Sequence, residues 1–293
     1  MSLVITTALQ LGCVYGLIVL ALFLSYRVLD IADLSTDGCF VLGMAVSVSL
    51  CAQNHPVLGI IMGILAGGLA GYVTAFQQTH LGIPSIIAGI VTNTGLYTIN
   101  LAVMGWHANL SLLKNETIFS LTGNHALILS GLVLGLCMLF MRWFLSTRLG
   151  LSIRATGDNK DMVSASSIDP RYTITVGLVI SNMFTALSGA LVGQMQRSAD
   201  INAGTGIVVV GLASLIIGET VINGRKSVGR NILACFAGSA VYRLIYAFVL
   251  QTKIIPVECL KLMTALIVAL AIAMPAFKDK AALARRMGRN KSC

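Results

Sequence analysis

The feature that most constrains this chain is a succession of apolar stretches, each long enough to cross a membrane, set almost end to end over nearly the whole length. A span needs about 20 apolar residues, and such stretches lie at roughly 3–25, 34–52, 57–76, 84–105, 126–145, 173–195, 205–222, 231–251 and 257–276. Only 11% of the 293 residues are charged, too few to build a soluble surface. The chain therefore reads as an all-α integral membrane protein of about nine transmembrane helices, within a range of eight to ten. The second and seventh stretches are short and carry glycine, the pattern of broken or re-entrant helices. Residues 1–276 form one polytopic transmembrane domain, and 277–293 form a basic tail. No basic region precedes the first stretch and no cleavage pattern follows it, so it reads as an uncleaved span.

The formal charge of +9 raises the question of nucleic acid, and the distribution of the basic residues answers it. Most of the 20 fall in three places: 142–171, 223–230 and 278–291. Two stretches separate each place from the next, so all three can lie on one side. The positive-inside rule makes that side the cytoplasm. The N-terminus is then outside and the C-terminus inside. The connection 106–125, whose charged residues are Lys114 and Glu116, lies outside. The basic excess is a topology signal, and no nucleic-acid partner is implied.

A faint internal repeat runs through the chain. Asp30-Ile31-Ala32 before the second stretch matches Asp200-Ile201-Asn202 before the seventh, and Ile83-Pro84 matches Ile255-Pro256. Five spans lie between equivalent positions, an odd number, so the halves point opposite ways. Inverted repeats of this kind are a frequent transporter architecture.

Enzyme chemistry finds no footing. There is no HExxH, no GxSxG elbow, and no GxxxxGK[ST] loop to cradle phosphate. The seven cysteines form no CxxC pair and lie mostly in or beside apolar runs, where they read as small hydrophobes. No metal site is implied. Polar residues inside spans are costly unless partnered, and they mark substrate paths or interhelical hydrogen bonds. The path candidates are Asp33, Thr36, Asn93, Tyr97, Asn100 and Ser214; Asn93, Tyr97 and Asn100 fall on one helical face. Asp33, with Asp37 and Glu219, reads first as a helix-end residue near an interface and only second as part of a binding site. Gly59, Gly63, Gly67 and Gly71 recur every four residues and predict a smooth face for close helix packing, internal or between subunits. Arg243 lies deep in the eighth stretch, where it can snorkel or meet an acidic partner.

The polar connection 148–171 is the most informative segment. Asp158 or Asn159 can cap a short helix running to about Ser167, Gly157 can turn the chain before it, and Pro170 restarts the chain. Its small residues suit a groove on another protein, although a loop lying on the headgroups has the same composition.

The order Arg154-Ala155-Thr156-Gly157-Asp158-Asn159, then small residues, then Ile168-Asp169-Pro170-Arg171, resembles the cytoplasmic coupling region of ABC importer permeases of the branched-chain amino acid and ribose type. Ala32-Asp33-Leu34-Ser35-Thr36-Asp37-Gly38 is similar to the entry to the second span of sugar permeases, with Thr36-Asp37 in place of a single residue. Gly211 to Glu219, followed by Gly224-Arg225-Lys226-Ser227, resembles the glycine-rich seventh span and turn, with Gly218-Glu219 where the family has Gly-Gly. The resemblance covers about residues 10–276. It implies a permease subunit of an ATP-driven importer in a bacterial inner membrane, forming the path for a small polar solute.

The branch it is most similar to is paired with amino-acid-type binding proteins, and sugar or nucleoside import is the alternative within the family. It further implies a cytoplasmic ATPase that carries the ATP and magnesium, so that this chain binds no cofactor. The other implied partners are an extracytoplasmic substrate-binding protein or lipoprotein, a second permease subunit forming a homodimer, and membrane lipid. Arg154, Ala155, Thr156, Gly157, Asp158, Asn159, Ser164, Ala165 and Ser167 would form the surface that meets the ATPase. A stand-alone secondary transporter or channel is the competing class, and it would need coupling residues at mid-membrane, where carboxylates are scarce. A structural membrane scaffold is a third.

Overall fold

The computed structural model describes residues 2–112, 115–122, 125–222 and 228–251, with 265–266 and 269. Lys114, the basic turn with Arg225 and Lys226, Ile255-Pro256, nearly all of the ninth stretch and the 277–293 tail lie outside the described residues.

Helices α1 (Ser2–Leu22), α2 (Thr36–Ala52), α3 (Pro56–Thr79) and α4 (Ser85–Val103) come first. A three-residue strand β1 (Asn109–Ser111) and a short α5 (Ile118–Thr122) follow. Then come α6 (Ala126–Ser146), α7 (Arg148–Asp158), α8 (Lys160–Ala165) and α9 (Pro170–Gln196). Strand β2 (Ser198–Asp200), α10 (Ile207–Ile222) and α11 (Val228–Gln251) complete the order. Among the described residues, six helices are long and apolar enough to cross a membrane: Ile5–Val28, α3, α4, α6, α9 and Val228–Val249. The fold is thus all-α and membrane-spanning.

Helices α2 and α10 are shorter, at 17 and 16 residues. At 1.5 Å per residue each extends about 25 Å, less than a hydrocarbon core of about 30 Å. Each is preceded by an irregular segment, 29–35 and 201–206.

Burial sorts the helices into an inner and an outer set. The first helix and α9 are 72% and 67% buried over their apolar windows, against 22% for α6 and 28% for α4. Exposed apolar side chains on α3 (Leu58, Ile61, Leu65, Leu69) and α6 (Ile128, Leu132, Leu136, Leu139) face outward, where lipid is their natural solvent.

The glycine stripe explains how α3 closes on the inner set. A β-carbon at Gly59 would meet the Ser47 backbone of α2 at 2.7 Å. At Gly63 it would lie 3.2 Å from Gly43 O on α2 and 3.5 Å from Ala190 on α9. At Gly67 it would run into Ala186, and at Gly71 it would come within 2.8 Å of Asn182 and the Leu178 carbonyl. The stripe is an internal seam against α2 and α9.

Three features depart from the sequence expectation. Residues Asn109–Ser111 pair antiparallel with Ser198–Asp200; three-residue strands carry no readable periodicity. The first helix continues to Val28 as a π-helical turn over Phe23–Val28. The 148–171 connection holds two helices, where one short helix was expected. Thr147 Oγ1 accepts from Gly150 N at 3.2 Å to start α7. Asn159 Oδ1 accepts from Asp161 N at 3.0 Å and Met162 N at 3.1 Å to start α8. Gly157 lies inside α7 and does not turn the chain. A β-carbon there would collide with the Val28 carbonyl, so the glycine permits contact between α7 and the end of the first helix.

Candidate functional site

The N-terminal ends of α2 and α10 meet. Asp37, in the first turn of α2, accepts from Gly206 N through Oδ2 and from Val208 N through Oδ1, both at 3.0 Å. A helix N-terminus leaves backbone N–H groups unpaired and carries partial positive charge, so a carboxylate there is doubly favoured. Gly204 allows the close approach, since a β-carbon on it would strike the Asp37 carbonyl.

A cavity of about 310 Å³ opens beside this junction. α4 forms one wall with Asn93, Thr94, Tyr97 and Asn100; the α2 end supplies Asp37 and Gly38, and the 201–206 segment supplies Asn202 and Thr205. Thr94, Tyr97, Asn202 and Thr205 are exposed. Asn100 is 1% exposed and donates from Nδ2 to the Gly38 carbonyl at 3.1 Å, which ties α4 to α2. The lining is made of amides, hydroxyls and one carboxylate whose two oxygens already accept from backbone N–H groups. It carries no cationic side chain among the described residues. Such a wall can exchange hydrogen bonds with a neutral or zwitterionic polar solute.

The six path candidates therefore separate. Asn93, Tyr97 and Asn100 are brought together on the cavity wall. Asp33 is 2% exposed and lies in a buried network. Its Oδ1 accepts from Ser35 N at 2.8 Å and Ser35 Oγ at 2.6 Å, and its Oδ2 accepts from Asn182 Nδ2 at 2.8 Å. Thr36 Oγ1 donates to the Asp33 carbonyl at 3.0 Å. Ser214 Oγ donates to the Val210 carbonyl of its own helix at 2.9 Å. Asp37 and Thr94, which the sequence also offers as polar residues of the second and fourth spans, line the cavity too, together with Asn202 and Thr205, which the sequence reading did not single out as path residues. The match between the segments before α2 and α10 was the signal that could have found them.

The small-residue surface lies at the other end of the bundle. Arg154, Ala155, Asp158, Asn159, Ser164, Ala165 and Ser167 are exposed, as is Met162. Ile153 and Val163 point inward. Thr156 is buried, its hydroxyl 2.8 Å from that of Thr173 on α9, and Gly157 is half-buried against Val28. Near the same end Arg27 Nε pairs with Glu219 Oε1 at 3.0 Å. Arg243 meets no carboxylate among the described residues; its guanidinium stacks on the Tyr15 ring at 3.4 Å, a cation–π contact.

A bundle of membrane-length apolar helices with a polar cavity opening beside the α2–α10 junction, and an exposed polar surface on α7 and α8, has the build of a multi-pass membrane transport protein. The chain belongs to the family described as branched-chain amino acid transport system, permease component, whose pattern matches residues 4–274. It is a permease component of ABC transport. It is 32% identical over 270 residues to the tyrosine transport system permease protein of Clostridioides difficile (strain R20291), covering 92% of this chain and 90% of that one. It is 29% identical over 201 residues to the D-allose transport system permease protein AlsC of Escherichia coli (strain K12), covering 66% and 60%. Against the ribose import permease protein RbsC of Haemophilus influenzae it is 25% identical over 210 residues, covering 66% and 62%. No solved structure matches the chain.

Proposed function

We propose that this permease carries a small zwitterionic solute, an amino acid, inward past the junction of α2 and α10. The observation that carries the reading is the cavity wall of Asn93, Tyr97, Asn100 and Thr205 beside two facing helix N-termini. Short helices meeting end to end suit a substrate site at the midplane of an inverted repeat. The amino-acid assignment draws support from the tyrosine permease relative. The sugar alternative draws on the allose and ribose relatives, which share less of the chain.

Two copies would enclose the path as a homodimer, with the exposed residues Tyr97 and Thr94 facing the axis between them. A cytoplasmic ATPase would seat the α7–α8 surface and bind the ATP and magnesium. An extracytoplasmic binding protein or lipoprotein would deliver the solute. The N-terminus would lie outside and the C-terminus inside a bacterial inner membrane, with the ninth stretch as a further span.

The test is uptake of labelled tyrosine, leucine and ribose by vesicles holding the permease, its ATPase and its binding protein. ATP-dependent accumulation of an amino acid, with ribose excluded, is the expected result. Accumulation of ribose alone overturns the amino-acid reading.

A further inference from the structure

We propose that the Arg27–Glu219 ion pair is the joint through which movement of the α7–α8 surface reaches the wall of the polar cavity. The inference rests on the reading of that surface as the seat of the ATPase.

Four contacts connect the two ends. Gly157 of α7 lies directly on the Val28 carbonyl, with no side chain between them. Val28 closes the π-helical turn Phe23–Val28, and the chain beyond it stays wide: Leu29 N donates to Leu24 O at 3.0 Å and Ile31 N to Ser25 O at 2.9 Å. A π turn holds a residue more than an α turn, so a push on Val28 can shift the turn without unwinding the helix. Arg27 projects from this turn and holds Glu219, in the last turn of α10, at 3.0 Å. At the far end of α10, Asp37 holds Gly206 N and Val208 N, and Gly204 and Thr205 line the cavity. α10 is therefore a short rod gripped by a charged group at each end, one beside the α7–α8 surface and one beside the cavity.

The pair is well placed to transmit. Arg27 is 44% exposed at its side chain and Glu219 18%, so the joint lies at the edge of the bundle, with its carboxylate end largely enclosed. Arg27 and Glu219 act as positioning residues: they touch no solute and set where the α10 N-terminus sits.

The experiment uses the permease–ATPase complex in lipid nanodiscs on a cysteine-free background, with spin labels at Thr94→Cys on α4 and Thr205→Cys on the segment before α10, both lining the cavity. The label distance is measured without nucleotide and with ATP plus vanadate. The expected result is a clear change in distance in the parent protein that is more than halved in Glu219→Gln and in Arg27→Gln, although both variants retain the ATPase. Reversing the pair, with Arg27→Glu and Glu219→Arg together, should restore the change. Uptake per ATP should fall in the single variants by at least about fivefold, the lower bound of ordinary allosteric coupling. A full distance change in Glu219→Gln overturns the joint, as does a reversed pair that folds and binds ATPase without restoring it. Ala165→Trp is run in parallel: if it still retains the ATPase, the reading of the α7–α8 surface is what has failed.

Discussion

At the residue scale, two carboxylates four positions apart have different work. Asp33 closes a buried network, and Asp37 sits at the edge of a cavity. Asp33→Ala leaves Ser35 N, Ser35 Oγ and one N–H of Asn182 Nδ2, whose other acceptor is the Leu178 carbonyl, without a partner in a site shut off from water. Stranded buried donors of this kind cost about 1–3 kcal/mol. The expected outcome is a lower melting temperature in detergent and a lower membrane yield. Tyr97→Ala should behave in the opposite way. Its side chain is 53% exposed on the cavity wall, so yield should stay near normal. The solute concentration for half-maximal uptake should rise several-fold. Normal uptake by Tyr97→Ala would remove this wall from the path.

At the scale of elements, the α3 seam and the α7–α8 pair offer sharp contrasts. Gly67→Leu forces a branched side chain into Ala186 and the Asn182 carbonyl of α9. Overpacking costs about 1–3 kcal/mol in general, and a backbone neighbour has little room to yield. The same change at Gly131 on α6 has nothing within 4 Å of the new β-carbon and should be silent. Membrane yield and detergent melting of the two variants, side by side, check the seam. In the polar connection, Asn159→Ala removes the acceptor for two N–H groups of α8. A lost cap costs about 1 kcal/mol, enough to fray a six-residue helix. ATPase retention should weaken while all spans insert. The break at Asn159 was half legible: the cap was readable from residue type, whereas α7 before it was not, because its start depends on Thr147 Oγ1 and its seat on the Val28 backbone.

At the scale of the whole molecule, the orientation of the basic clusters is the testable claim. A single cysteine at Lys160 should react with an impermeant thiol reagent only when the cytoplasmic face is opened, and one at Lys114 should react in intact cells. Labelling of position 160 from outside would invert the topology and place the α7–α8 surface away from any ATPase. The burial pattern sets a second expectation. α4 has one wall on the cavity and exposed apolar side chains such as Val91 and Ile99 on another face. A homodimer should therefore cross-link through Thr94→Cys or Tyr97→Cys, with no cross-link through Leu132→Cys on the outward face of α6.

Eight apolar stretches became helices close to where the sequence places them, because transfer of a side chain out of water is a property of local composition. The cap at Asn159 and the glycine face of α3 are equally local, set by residue type and period. What only the tertiary structure decided is which polar residues share a space. Asp33 and Asp37 differ in role because Asn182 lies beside one and the Gly206 and Val208 amides beside the other. Asn182 and the Gly206 and Val208 amides all lie on segments far from these carboxylates in the chain. A carboxylate's role is set by the donors that reach it, and those arrive only when α2, α9 and α10 pack together.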